Sequence, residues 1–106
     1  MKYKVTETIC DYDGKPLKVE KDDLTWRTVI HTALNSKLTE DAQLPKEKVM
    51  LCYDMTRRAF EHEEVEFSVS EVAFLLDRIL KTYNKIVVGR AEDYFNKKNE
   101  IKKEEK

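Results

Sequence analysis

Cys10, His31, Cys52 and His62 are the residues of this chain whose types could bind zinc or carry nucleophilic chemistry. Structural zinc sites are usually nucleated by two ligands about two to four residues apart, and these four contain no such pair. Zinc is therefore not expected, and the two thiols are expected to stay reduced and half-buried. A thiol–imidazole nucleophile has no better support, because no third group orients the base and no oxyanion donors can be named. Asp11-x-Asp13-Gly14 has the centre of a calcium loop, with Glu20 at the spacing of its last ligand. The first ligand position is Ile9, however, and Pro16 lies inside, so the segment reads as a turn. His62 sits among Glu61, Glu63, Glu64 and Glu66, a solvated acidic stretch. Gly14 and Gly89 are the only glycines, which leaves no phosphate-cradling loop. No cofactor, metal or catalytic residue is expected, and the chain reads as a non-enzyme.

A second kind of chemistry is phosphate recognition. Arg57, Arg58, Arg78 and Arg90, with Lys81 and Lys85, could line a nucleic-acid surface, and Tyr53, Phe74 or Tyr83 could stack on bases. Against this, 20 Lys+Arg stand beside 21 Asp+Glu, a net charge of −1, so the broad basic field of sequence-independent binding is missing. A nucleic-acid-binding accessory factor in replication or regulation is the alternative reading, with these four arginines as its site.

The elements that must position such residues follow from periodicity. The 106 residues suit one domain, 1–96, with a charged tail, 97–106, expected to fray. With 41% hydrophobic and 39% charged residues the chain is too apolar for disorder and too polar for a membrane span. No signal-peptide segment opens it, which predicts a cytoplasmic protein. Residues 2–20 alternate as a β-hairpin around Asp11-Tyr12-Asp13-Gly14, with Pro16 marking an edge strand. A helix is expected from Asp23, burying Trp26, Val29, Ile30, Ala33 and Leu34. From Leu24 to Ser36 only Arg27 carries a fixed charge, so this helix is expected to be covered on more than one side. A loop over Thr39 to Leu44 leads to a second helix at Pro45, with Val49, Cys52, Tyr53, Thr56, Ala59 and Phe60 inward. Val65 to Phe67 is a short extended piece, and Ser68-Val69-Ser70-Glu71 fits a capping box that starts a third helix. Its inner side holds Val72, Leu75, Leu76, Ile79, Leu80 and Tyr83, with Asp77, Arg78 and Lys81 outward. Asn84 either closes that helix or caps a fourth, whose Val87, Val88, Ala91, Tyr94 and Phe95 form the last stripe. Gly89, interior to it, suggests a close backbone.

The expected fold class is α+β, an N-terminal β-hairpin packed on a bundle of three to four helices, with the Trp26 helix at the centre. Met50, Leu51, Met55 and Phe74 exceed what one buried face per helix needs, and methionine suits an adaptable interface. They are the candidate partner-binding residues, and self-association through them would satisfy the same pattern.

Asp11-x-Asp13-Gly14-Lys15-Pro16, Leu24-Thr25-Trp26-Arg27 running on to Ala33-Leu34, Val65 to Glu71, and Val87-Val88-Gly89-Arg90-Ala91 together resemble small uncharacterised proteins of tailed bacteriophages and prophages. The likeness covers about residues 5–95. It implies a setting rather than an activity: a phage or prophage product in a bacterial cell. The expected function is a non-enzymatic, protein-binding accessory role, as an assembly helper or a modulator of a host or phage protein.

Overall fold

Thr25, not Asp23, starts the first helix. The computed structural model describes residues 2–36, 38 and 42–104, with side chains up to residue 96. In it α1 spans Trp26–Asn35, and the Thr25 side chain accepts the Thr28 N–H. Asp23 is drawn into a tight hairpin instead. Strands β2 (Lys18–Val19) and β3 (Asp22–Asp23) pair antiparallel, and an ion pair joins Lys18 to Asp23. Leu24 is held extended, its N–H on the Leu17 carbonyl and its carbonyl on the Ile9 N–H, so the helix cannot begin before Thr25.

The N-terminal segment is more divided than simple alternation predicts. Strand β1 (Lys2–Lys4) pairs antiparallel not with the returning arm but with β4 (Glu64–Glu66), placing Lys2 opposite Glu66 and Lys4 opposite Glu64. Opposite charges on neighbouring strands favour that partner. The chain turns after Lys4, and the expected reversal then follows: Gly14 has φ +85°, and the Asp11 carboxylate accepts the Asp13 and Lys15 N–H groups at 2.9 and 3.0 Å. That carboxylate serves the turn itself.

Helix α2 spans Lys46–Glu61 with Pro45 as its cap, and α3 spans Val69–Thr82. The capping box forms as the sequence predicts: Ser68 N–H to Glu71 Oε1 is 2.9 Å and Glu71 N–H to Ser68 Oγ is 3.2 Å. Asn84 caps α4, its Oδ1 taking the Val87 N–H at 3.2 Å. Helix α4 spans Lys85–Glu104. Its backbone therefore continues through 97–104, expected to fray, where Lys and Glu are good helix formers even without an apolar stripe. Residues 105–106 of the tail, and 39–41 of the expected loop, lie outside the described residues.

Helix α1 is the hub, packed against both α2 and α3, with α4 against α3. The architecture is α+β, as expected. The core joins Val29, Ile30 and Ala33 of α1 to Met55 and Ala59 of α2, Leu75 and Ile79 of α3, and Ala91 and Phe95 of α4. Tyr3 from β1 seals one end, donating its hydroxyl to the Phe95 carbonyl at 3.0 Å.

Three details depart from the sequence reading. On α2 the inward face is Cys52, Met55 and Ala59, while Val49, Tyr53 and Phe60 point out. On α3 Arg78 is inside and Leu80 outside, because the end of α1 needs a hydrogen-bond donor there, as the next section shows. Gly89 meets no close backbone: a Cβ built on it would find open space.

Candidate functional site

Arginine placement decides most of the surface. Arg78 is 1% exposed. Its Nε donates to the Ala33 carbonyl at 3.0 Å and its Nη2 to Ser36 at 2.9 Å, with Leu34 at 3.4 Å. These carbonyls end α1, where the helix leaves acceptors without internal partners and its dipole favours a cation. Arg27 does the same for α2, donating to the Ala59 carbonyl at 2.7 Å and to His62 at 3.0 Å. That explains the single fixed charge on α1. Arg90 holds the carbonyls of Cys10 and Asp11 at 3.0 and 2.7 Å, fixing the Gly14 turn against α4.

Arg58 binds Glu71 at 2.6 Å, Asp54 at 3.0 Å and the Glu66 carbonyl at 2.9 Å. Partial burial pushes the Glu71 carboxyl up, but hydrogen bonds from Arg58 and the Ser68 backbone outweigh it and hold the group below its ordinary value. Arg57 is exposed and paired with Asp54 and Glu61 at 2.7 and 3.1 Å, and its hydrogen bond is the main reason Asp54 titrates low. Of the residues of the nucleic-acid alternative, Arg57 and Arg58 share Asp54 on α2, while Arg78 and Arg90 are engaged elsewhere, at the end of α1 and at the Gly14 turn. One is buried, two hold backbone carbonyls as well as or instead of carboxylates, and the last is neutralised by two carboxylates.

The groups that could do covalent chemistry are also dispersed. Cys10 and Cys52 are thiols not joined in a disulfide, Cys52 buried and Cys10 half-buried. His31 packs edge-on to Phe60 with ring centroids 5.5 Å apart, and His62 is exposed after the end of α2. Among the described residues no three Cys, His, Asp or Glu side chains gather as a metal site would require. The Tyr94 hydroxyl accepts the Lys4 N–H at 2.9 Å and lies 2.6 Å from Glu7 Oε2 and 2.8 Å from the Lys4 carbonyl. Burial first, and the Glu7 carboxylate second, push this phenol well above its usual range, so it stays protonated and ties β1 to α4.

The apolar candidates divide as well. Met55 is fully buried and belongs to the core, a correction to its expected surface role; its position beside Ala59 on the inward stripe explains it. Leu51 and Phe74 are half-buried against the core, with the Lys48 ammonium 5.1 Å from the Phe74 ring centroid. Met50 alone of the four is exposed.

One turn along α2 from Met50, at Tyr53, runs a face that the sequence reading had turned inward. Tyr53 is 62% and Phe60 52% exposed, and Val49 is exposed beside them. The exposed His31 and Asn35 of α1 adjoin this stripe: His31 meets Phe60, and the Asn35 amide donates to Thr56 Oγ1 at 3.0 Å. His31, Asn35, Val49, Tyr53, Thr56 and Phe60 therefore form one surface across α1 and α2 that carries no carboxylate or ammonium of its own and is bordered at one end by the Arg27 guanidinium, 5.7 Å from the Phe60 ring centroid. The signal was present in the sequence as the uncharged polar side of α1; its aromatic continuation on α2 was hidden by the width of that helix's apolar surface.

Among the described residues no helix is long and apolar enough to cross a membrane. Comparison with protein-family models, curated proteins and solved structures finds no match for the chain.

Proposed function

We propose that this chain is a non-enzymatic protein-binding accessory protein, of the assembly-helper or modulator type found among phage and prophage products, acting in the cytoplasm of a bacterial cell. The observation that carries the binding role is the aromatic, carboxylate-free α1–α2 face, with the Arg27 guanidinium at its Phe60 end. In a chain with 39% charged residues, a contiguous surface of His31, Asn35, Val49, Tyr53, Thr56 and Phe60 has the composition of an interface centre. Such centres are enriched in aromatic residues and Met and depleted of Lys, Glu and Asp. Tyr53 and Phe60 are the anchors, large side chains that bury much area with few rotatable bonds. Met50 is the adaptable shoulder beside them.

The test compares wild type with a Tyr53→Asp, Phe60→Asp double variant in affinity capture from cells of the source organism, with Arg57→Gln as a surface control. A protein retained by wild type and the control but lost by the double variant is the expected result. Capture that is indifferent to the double variant overturns the assignment of this face.

A further inference from the structure

A second open surface lies between α3 and α4. Val69, Ala73, Leu76 and Leu80 recur along α3 at spacings of four, three and four residues, the repeat of a helix that takes a neighbouring helix along that side. Val69 is 81% and Leu80 61% exposed. Opposite them α4 presents Val88, with Glu92 beyond it, and Tyr3 and Phe67 complete an open groove of about 520 Å³.

Its charge is one-sided. Asp77 lies on the α3 wall and Glu92 on the α4 wall, and no Lys or Arg is among the residues lining the groove. Asp77 holds Lys81 at 3.0 Å in an exposed pair one helical turn apart, a weak contact that another ammonium can replace. The Glu92 carboxylate accepts the neutral Asn96 amide at 2.6 Å. We propose that this groove docks a basic amphipathic helix, its apolar stripe against Val69, Leu76, Leu80 and Val88 and its Lys or Arg flanks on Asp77 and Glu92. Helix-in-groove recognition reads apolar anchors at such spacings, and flanking charge selects the partner and its direction. Two-fold pairing of the groove with its own copy would set these carboxylates near their equivalents, like against like, which disfavours a second copy as the occupant. Since this groove shares no residue with the α1–α2 face, both can be filled at once, and the protein would then bridge two partners.

The probe is a synthetic peptide of roughly 15 residues with Leu at heptad a and d positions and Lys at the flanks; its counterpart carries Glu for every Lys. In anisotropy titrations of the whole chain at low salt, the Lys peptide should bind at least about tenfold tighter, a preference that shrinks as salt is raised. Leu80→Lys puts a cation on the exposed rim and should weaken that binding by at least about tenfold. The pair Asp77→Lys, Glu92→Lys should invert the preference toward the Glu peptide. Asp77, Leu80 and Glu92 are all exposed, so thermal melts of these variants should match wild type. Equal affinity for both peptides, or Lys-peptide binding that ignores Leu80→Lys and the charge reversal, overturns the proposal. A dimer in sedimentation that Leu80→Lys dissolves also overturns it, since a second copy would then fill the groove. Tyr53→Asp should leave Lys-peptide binding unchanged; its loss there would place the peptide on the other face and overturn the groove.

Discussion

Replacing Arg78 by Met tests whether a guanidinium holds the end of α1. The substitution keeps an aliphatic stem of similar reach but leaves the Ala33 and Ser36 carbonyls, at 3.0 and 2.9 Å from the present donors, without them. A buried ion pair can often be exchanged for apolar residues at little cost, but that requires changing both partners, and main-chain carbonyls cannot be mutated away. Each charged hydrogen bond contributes about 1.5–3 kcal/mol, and an orphaned buried acceptor costs about 1–3 kcal/mol, so Arg78→Met should lose about 3–5 kcal/mol. Against the roughly 5–15 kcal/mol of a small domain this is a large share. At about 4–8 °C per kcal/mol for this size, the melting midpoint should fall by well over ~10 °C. Trp26 is 4% exposed, so its fluorescence reports unfolding in urea. The midpoint should move to lower urea with the slope unchanged. Arg78→Lys, which keeps the charge but not the planar fork, should fall between the two. A loss below about 1 kcal/mol in Arg78→Met would refute the capping argument, because the buried Ala33 carbonyl alone, left unpaired, costs about 1–3 kcal/mol.

Further outcomes follow from the same geometry. Gly89→Ala should stabilise the fold by about 0.5–1 kcal/mol, because the position is helical and the added methyl meets nothing within 4 Å; a lower urea midpoint would mean that something packs there after all. Glu71 and Asp54 titrate below their ordinary values of 4.5 and 3.8 in the folded chain, so the stability they contribute is complete above those values and is lost as pH falls through the depressed ones. Stability should therefore begin to drop as pH falls below about 4.5 and go on falling below about 3.8, and Glu71→Gln should flatten part of that limb while weakening the protein at neutral pH. Parallel acid limbs for the two proteins would remove Glu71 from this account.

Much of the architecture was legible because local chemistry and tertiary packing agree. The Ser68–Glu71 box, the Asn84 cap, the Gly14 turn and the apolar stripe of α1 each follow from residues adjacent in sequence, and each forms. The misread features depend on neighbours distant in sequence. Asp23 is a sound helix cap in isolation, but Lys18 and the Leu17–Leu24 bond hold it in a hairpin. Arg78 looks like an outward charge on α3 until the end of α1, 42 to 45 residues earlier, needs its donors. On α2, Cys52, Met55 and Ala59 compete with Val49, Tyr53 and Phe60 for the inward position, and both sets have helical spacing. The smaller set fits against α1, so the larger aromatic residues are left outside. Of the exposed apolar residues on α2, Met50 stood out in the sequence as surplus to one buried face, whereas Val49, Tyr53 and Phe60 were read as inward.

The closure of the fold by Tyr3 also governs how the protein can be made. Its hydroxyl is bonded to the Phe95 carbonyl across 92 positions, and Lys4 meets Tyr94 across 90. While the ribosome is still translating, the first strand has no permanent berth: β4 follows it much later in the chain, and the aromatic end of α4 follows by 90 to 92 positions. Until residues 94–95 leave the exit tunnel, Trp26 lacks the two rings that cover it, and the nascent chain carries an open greasy end. A chain that lacks the end of α4 is accordingly the form of this protein most prone to aggregate.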